Sequence, residues 1–291
     1  MFDGFEARTL AGSGSDISFV IGGGGPPLLL LHGYPQTRAM WHKIAPRLAE
    51  DFTVVAADLR GYGGSSKPAS DATHAAYSKR AMARDQVDVM EALGFERFHI
   101  AGHDRGGRVT HRMALDHPSR VIRAAVLDIA PTYKVFAATD QAMATAYYHW
   151  FFLIQPNGLP EHLIGKDPEY YLRHKLGHWG RDTNAFTPEA VEEYVRCFSD
   201  PATIHASCED YRAAASIDLE HDEMDMGTKI TCPLLVLWGA KGFVAKAYDV
   251  LDVWRERAAD VRGEAIDCGH FLPEEKPDET YAALRTFFLD A

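Results

Sequence analysis

Short runs of apolar residues recur along the chain and are separated by segments with polar positions at helical spacing. The apolar runs cover residues 28–31, 53–57, 98–101, 124–127 and 234–238, and a further strand-like segment at 17–21 precedes a glycine-rich turn. Because the runs are nearly continuous rather than alternating, they are typical of strands buried on both faces of a parallel sheet. The pattern predicts helices over 79–93 and 107–116, so strands and helices alternate in this part of the chain.

A long segment between two of these runs breaks the alternation. Residues 131–230 are rich in Tyr, Trp, His and Phe and contain several helical patterns but few strand-like runs. We therefore predict an α/β core domain formed by residues 1–130 and 231–291, with residues 131–230 inserted as a helical cap. Ligands of open α/β sheets bind at the carboxyl ends of the strands, where such a cap would exclude water.

Composition narrows the class of partners. The chain has 291 residues, 46% hydrophobic and 24% charged, which is ordinary for a globular protein. Its net charge of −11 and its lack of Lys/Arg-rich tracts disfavour nucleic acid and anionic membranes as partners. The four cysteines form no C-x-x-C pair, and the first residues carry no apolar signal segment. We therefore expect free thiols, a cytoplasmic location, and neither a metal nor another cofactor.

The most informative motif is GHDRGG at residues 102–107, which has the glycine–x–nucleophile–x–glycine form of a tight strand-to-helix turn. Serine is the usual central residue, but here it is Asp104. A carboxylate needs no base to activate it and can displace a leaving group from an sp3 carbon, which leaves an ester on the enzyme. Asp104 could instead be only a helix cap, but its position between an apolar run and a helical pattern favours catalysis.

Two further residues complete a candidate triad. His270, in the sequence DCGHF at 267–271, is the best candidate for the base that activates water against the ester. The loop after the fifth apolar run, WGAKG at 238–242, contains no acid. Asp128, which directly follows the run at 124–127, is therefore the predicted acid that orients His270. The order nucleophile, acid, histidine is the order in which this type of site occurs along a chain.

Backbone donors and two arginines are predicted around Asp104. The sequence HGYP at 32–35 can offer the backbone N–H of Tyr34 to an oxyanion, and the N–H of Arg105 would be the second donor. The side chains of Arg105 and Arg108 are three apart on the first turn of a helix, so both can bind one substrate carboxylate. Alternatively, they form salt bridges with acidic residues of the cap.

These residues resemble those of the fluoroacetate or haloacetate dehalogenases, a family of the α/β-hydrolase superfamily, and the resemblance covers nearly the whole chain. It rests on HGYPQT at 32–37, GHDRGGRV at 102–109, VLDI at 126–129, YHW at 148–150, CEDYR at 208–212 and GHFLPEE at 269–275. The resemblance implies an α/β-hydrolase fold and hydrolytic removal of the halogen from a short 2-haloacid such as fluoroacetate or chloroacetate. It also implies a homodimer.

The resemblance further implies a role for each matching residue. Asp104 would attack the carbon that bears the halogen, and Asp128 with His270 would hydrolyse the resulting ester. The substrate carboxylate would be held by Arg105 and Arg108. The departing halide would accept hydrogen bonds from His149, Trp150 and Tyr211, and Trp179 would belong to the same pocket.

Other functions remain open at this point. An epoxide hydrolase shares the aspartate nucleophile and the HGYP-type sequence, but needs two cap tyrosines, Tyr211 and one of Tyr133, Tyr147 or Tyr148. A haloalkane dehalogenase commonly has Trp directly after the nucleophile, where this chain has Arg105. A non-catalytic ligand receptor on the same fold would have no need for the complete triad.

Overall fold

The computed structural model describes residues 1–290, so Ala291, the last residue of the predicted core segment, lies outside the described residues. These residues form one eight-stranded sheet with the strand order β1-β2-β4-β3-β5-β6-β7-β8. The strands are β1 Glu6–Ala11, β2 Asp16–Gly23, β3 Pro27–Leu31, β4 Thr53–Ala57, β5 Phe98–His103, β6 Val121–Leu127, β7 Leu234–Gly239 and β8 Val261–Ile266. The pairs β1–β2 and β2–β4 are antiparallel and all others are parallel, so the predicted mostly parallel sheet is confirmed.

Helices cover the sheet and fill the long interval between β6 and β7. They are α1 Ala45–Leu48, α2 Lys79–Ala92, α3 Arg105–Asp116, α4 Thr132–Ala137, α5 Gln141–Ala146, α6 Tyr148–Phe152, α7 Leu159–Ile164, α8 Pro168–Trp179, α9 Pro188–Phe198, α10 Pro201–Ala214, α11 Ile217–Met224, α12 Phe243–Ala247, α13 Val250–Arg255, α14 Leu272–Glu275 and α15 Pro277–Leu289. Short 3-10 helices lie at Arg38–Trp41, Ala75–Tyr77 and Thr183–Ala185. No helix among residues 1–290 is both long enough and apolar enough to cross a bilayer.

The central strands are buried because their side chains are apolar on both faces. All of β5 is buried, and Leu28 to Leu31 in β3 are fully excluded from solvent. At about 25 cal/mol per Å² of apolar surface, this burial is the main force that holds the sheet together. Two edge strands, β1 and β8, were not among the predicted runs. They are largely exposed and lack a continuous apolar segment.

Helix α3 begins two residues earlier than predicted. The expected start was residue 107, but the helix runs from Arg105. The reason is the sharp turn at Asp104, whose φ of 46° reverses the chain within one residue. Helix α2 also differs slightly, since it ends at Ala92 with Leu93 as its cap, next to Gly94 at a φ of 84°.

Candidate active site

The turn between β5 and α3 holds Asp104 in a backbone conformation that few non-glycine residues adopt. Its φ is 46° and its ψ is −113°. Neighbouring glycines make the turn possible, since a Cβ at Gly102 would lie 2.3 Å from the carbonyl oxygen of Gly106, and one at Gly106 would lie 2.4 Å from that of His32. A strained residue in such a position is a common feature of functional sites.

The loop after β3 is fixed against this turn. The amide of Gly106 donates to the carbonyl oxygen of His32 at 2.9 Å. The ring of His32 bonds on both sides, with Nδ1 at 3.0 Å from the Gly33 carbonyl and Nε2 accepting from the Leu59 amide at 3.0 Å. These contacts require a neutral ring, in keeping with burial, which lowers the pKa of His32. The backbone N–H of Tyr34 consequently points at Asp104 and donates to Oδ1 at 2.9 Å.

The three predicted triad residues lie together at the carboxyl ends of β5, β6 and the segment after β8. His270 Nδ1 lies 2.6 Å from Asp128 Oδ2, and His270 Nε2 lies 3.9 Å from Asp104 Oδ2. Asp128 has a φ of 52°, and its second oxygen accepts from the Gly239 amide at 2.9 Å. The histidine is thus oriented by a fixed carboxylate, and its other nitrogen faces Asp104 with a gap longer than a hydrogen bond.

Charge in this site favours an ionised Asp104 and a basic His270. Burial alone would raise the pKa of Asp104, but the positive charges of His270 and Arg105 outweigh it and leave the pKa below its usual value. Burial alone would lower the pKa of His270, but its hydrogen bond and charge interaction with Asp128 leave the pKa raised. An ionised carboxylate near a histidine of raised pKa is an arrangement that active sites use.

His103, which the sequence analysis did not single out, contacts the backbone and the ring of His270. Its Nε2 lies 2.7 Å from the carbonyl oxygen of His270, and the two rings are 4.5 Å apart. Burial lowers the pKa of His103 to about 3, so the ring is neutral. A carbonyl oxygen can only accept, and Nε2 must therefore carry the proton and donate it.

Arg105 is buried and forms an ion pair with a residue of α10. Its Nε and Nη2 donate to Asp210 Oδ2 and Oδ1 at 3.0 and 2.6 Å, and Asp210 also accepts from Lys79 Nζ and from Tyr62 Oη. Of the two roles considered for the arginines, a salt bridge to an acid of the inserted segment is therefore observed for Arg105. Within residues 1–290, Arg105 Nη1 has no hydrogen-bond partner. Only this nitrogen remains available to a ligand.

Arg108 lies one helical turn further on and has fewer partners. Its Nη1 donates to the carbonyl oxygen of Ala130 at 2.9 Å and to Thr132 Oγ1 at 3.1 Å. Its Nε is buried without a partner among the described residues. Burial and the nearby charge of Arg105 lower the pKa of Arg108. The guanidinium groups of Arg105 and Arg108 both lie near the ring of Trp150, and each retains a buried N–H group without a partner among the described residues.

The predicted halide residues gather in one aromatic cluster around Tyr34. The ring of His149 is 5.6 Å from that of Tyr211, and the ring of Trp150 is 5.8 Å from it. Trp179 lies 4.6 Å from His149. Four buried polar atoms of the cluster have no partner within the described residues: Tyr34 Oη, His149 Nδ1, Trp179 Nε1 and Tyr211 Oη.

The guanidinium groups pack on the same cluster. Arg105 Cζ lies 4.1 Å from the ring centroid of Tyr211, and Arg108 Cζ lies 4.5 Å from that of Trp150. Cations over aromatic faces are attracted by the ring quadrupole. The predicted carboxylate-binding and halide-binding residues are therefore in direct contact with one another.

A cavity of about 190 Å³ leads from this cluster towards solvent. It is lined by Asp104, Asp128, Ala146, Tyr147, His149, Trp150, His178, Trp179, Arg181, Gly242, Phe243, Lys246 and His270. Arg105, Arg108 and Tyr211 are not in its lining and lie behind it, next to Trp150. The volume is below the ~300–1,000 Å³ of pockets for drug-sized ligands, so the cavity suits a small substrate. Within residues 1–290 no group of three His, Cys, Asp or Glu side chains is arranged to hold a metal ion.

Comparison with known proteins identifies the family. The profile described as alpha/beta hydrolase fold matches residues 26–277, so the predicted fold is confirmed. Fluoroacetate dehalogenase from Burkholderia sp is 51% identical over 292 aligned positions, which span 100% of this chain and 96% of that protein. Soluble epoxide hydrolase from Corynebacterium sp. (strain C12) is 36% identical over 95% of this chain and 94% of its own length.

Solved structures agree with this comparison. A crystal structure of a protein from Nostoc sp PCC 7120 is 64% identical, superposes with a TM-score of 0.99 and is covered completely, as is this chain. An epoxide hydrolase structure, CorEH without ligand, is 34% identical with a TM-score of 0.90 and 98% coverage of each chain. The chain belongs to the α/β-hydrolase family, and within it to the group of enzymes that includes fluoroacetate dehalogenase.

Proposed function

We propose that this enzyme hydrolyses the carbon–halogen bond of a short 2-haloacid, such as fluoroacetate or chloroacetate, to glycolate and halide. The observation that carries the proposal is the combination of an ionised Asp104 at the turn with two buried arginines that retain unpaired N–H groups. An anionic substrate would satisfy these donors, whereas a neutral one would leave them buried and unpaired. The 51% identity to fluoroacetate dehalogenase supports the same substrate class.

In the first step, Asp104 Oδ2 attacks the substrate carbon from the side opposite the halogen. A carbon–oxygen bond forms, the carbon–halogen bond breaks, and the halide leaves with the bonding electrons. Oδ1 meanwhile stays on the Tyr34 amide, which fixes the carboxylate so that one oxygen faces the cavity. This orientation lowers the entropy cost of reaching the transition state.

In the second step, water hydrolyses the ester. His270 Nε2 takes a proton from water, and the water oxygen attacks Asp104 Cγ. The 3.9 Å gap between His270 Nε2 and Asp104 Oδ2 is too long for a direct hydrogen bond and leaves His270 free to bind this water. Negative charge develops on Oδ1, where the Tyr34 amide and the Arg105 amide are the proposed oxyanion donors. Glycolate then leaves with the proton that His270 returns to its oxygen. The second proton of the water remains on the Asp104 carboxyl group and is released to solvent, which regenerates the carboxylate.

The halide is proposed to leave towards His149, Trp150 and Tyr211. Burial, with the charges of Lys175 and His270, holds the pKa of His149 well below its ordinary value, so its ring is neutral. A neutral ring still donates one N–H, and the indole and the phenol each donate one more hydrogen bond. Three such donors replace part of the hydration that a departing fluoride needs. Trp179 closes the same pocket against His149.

Residues 131–230 are proposed to act as the cap, and residues 1–130 with 231–291 as the core. The core would supply Asp104, Asp128 and His270, and the cap would supply the halide donors. With this division, the reacting groups lie on rigid strand ends, and a cap that can open and close excludes water from them.

Epoxide hydrolysis is the second candidate, because Tyr147 lines the cavity, Tyr211 Oη is unpaired among the described residues, and a 36% identical relative is an epoxide hydrolase. Two hydroxyl groups could protonate an opening epoxide. The unpaired N–H groups of Arg105 and Arg108 have no role in that reaction, and we therefore favour the haloacid.

Halide release separates these functions. We expect the wild-type enzyme to release fluoride from fluoroacetate or chloride from chloroacetate. Asp104→Ala should lower the rate by about 10⁴-fold or more, since it removes the carboxylate on which the ester is proposed to form. Ion-selective electrodes measure both halides. Release of neither halide, together with diol formation from styrene oxide, would overturn the dehalogenase proposal and leave the epoxide hydrolase.

Arg108→Gln tests recognition of the carboxylate. Loss of one charge-assisted hydrogen bond, about 1.5–3 kcal/mol, should raise KM for chloroacetate roughly 10- to 100-fold. Chloroacetamide, which is neutral, should be affected much less. Arg105 is a poorer choice, because its removal leaves Asp210 without its main partner. The exposed Arg84 is the matched control, and equal losses for acid and amide in Arg108→Gln would contradict the assignment.

The pH dependence of turnover tests the role of Asp128. His270 acts as a base only when neutral, and Asp128 raises its pKa, so the rate should rise with pH as His270 loses its proton. Asp128→Asn should shift this rise to lower pH and reduce kcat by about 10²–10⁴-fold through loss of orientation. The exposed Asp267, which pairs with Lys241, is the control position. An unshifted profile in Asp128→Asn would show that another group titrates.

A further inference from the structure

Lys175, in helix α8, is a buried cation without a counterion. The residue is 0% exposed, and no hydrogen-bond acceptor in residues 1–290 reaches its Nζ. Lysines are rarely buried in this way unless they are paired, because loss of hydration destabilises the charged form. Burial accordingly lowers the pKa of Lys175 to about 7. An unpaired buried lysine destabilises the fold, and its presence next to the site therefore calls for a functional explanation.

Aromatic faces surround the ammonium group in place of an acid. Nζ lies 3.8 Å from the ring centroid of Tyr148, 5.0 Å from that of Tyr171 and 5.1 Å from that of Trp179. These faces stabilise the charged form by cation–π attraction, but they do not neutralise it. The positive charge therefore remains available to an anion nearby.

The charge shares a neighbour, Trp179, with the proposed halide site. The ring of Trp179, which lines the cavity, is 4.6 Å from the ring of His149, and its centroid is 5.1 Å from Lys175 Nζ. The titratable groups around Nζ are His149 and His178, whose pKa values its charge helps to lower, and the phenols of Tyr148 and Tyr171. No carboxylate among the described residues pairs with it.

We propose that Lys175 is a positioning residue for the leaving halide, whose negative charge is the counterion that the buried ammonium lacks. This inference rests on the proposed dehalogenase function. Lys175 acts through His149 and Trp179 in two ways. Its charge adds to the effect of burial in lowering the pKa of His149, and it attracts the halide at longer range without touching it.

Binding of bromide alone to the resting enzyme tests this role without turnover. Quenching of tryptophan fluorescence reports the binding, because Trp150 and Trp179 line the cavity. Lys175→Met removes the charge and retains most of the side-chain volume. At a pH below the Lys175 pKa of about 7, we expect the Lys175→Met substitution to weaken bromide binding roughly tenfold. Above that pKa, the difference from the wild type should disappear, because Lys175 is then neutral in the wild type as well.

Two further variants distinguish charge from packing. Lys175→Arg retains the charge and should restore most of the bromide affinity, whereas Lys134→Met, at a partly exposed position, should have no effect. Removal of an unpaired buried charge is usually tolerated, and thermal unfolding checks this for each variant. Equal bromide affinity in Lys175→Met and the wild type at every pH would overturn the role of Lys175 but not the proposed dehalogenase function. Absence of halide release from both haloacetates by the wild type would overturn the proposed function instead.

Discussion

The close passage of α3 over β3 and β5 is the constraint on which the site depends. Asp104 can stand at the turn only because Gly102 and Gly106 have no side chains, since a Cβ at either would overlap a backbone carbonyl. This passage aims the carboxylate away from the sheet and brings it to the Tyr34 amide. It also starts the helix at Arg105, so that Arg105 and Arg108 follow Asp104 within about one turn. The geometry of the turn thus determines where charge can be placed.

The second constraint on the site is the pairing of its buried positive charges with acidic residues. Asp210 and Arg105 form a fully buried ion pair. Burial alone would raise the pKa of Asp210, but the charges of Arg105 and Lys79 outweigh it and keep Asp210 ionised. Breaking such a buried pair leaves an unpaired charge, which is strongly destabilising. Arg108 has no comparable acid, and Lys175 has none either. Arg108 therefore contributes a buried positive charge that no acid among the described residues pairs with, although the chain as a whole carries −11. Such an imbalance suits a substrate and a product that are both anions.

Much of this could be predicted from the sequence, because the informative signals are local. The central strands appear as continuous apolar runs, and Asp104 lies in a motif whose spacing has a steric cause. The empty loop at 238–242 points to Asp128, which the structure places 2.6 Å from His270. The edge strands β1 and β8 have no such signal, since exposed strands do not need apolar residues on both faces.

Other features depend on contacts between distant residues and were not predictable. Asp210 is an acid adjacent to Tyr211 in the sequence, and nothing local indicates that it pairs with Arg105, 105 positions away. Lys175 reads as an ordinary helix residue, and its aromatic surroundings exist only after α6 and α8 pack together. His103 was part of the recognised motif, but its support of His270 requires the turn and the loop after β8 to meet.

The central claim is that Asp104 carries a covalent ester, and the most direct measurement is to trap it. His270→Gln removes the base of the second step but leaves the nucleophile and the arginines in place. After incubation with fluoroacetate or chloroacetate, the intact protein should gain the mass of one carboxymethyl group, and peptide mapping should locate it on Asp104, with a single equivalent of halide released. Release of halide by this variant with no gain in mass, or a carboxymethyl group on a residue other than Asp104, would contradict the account.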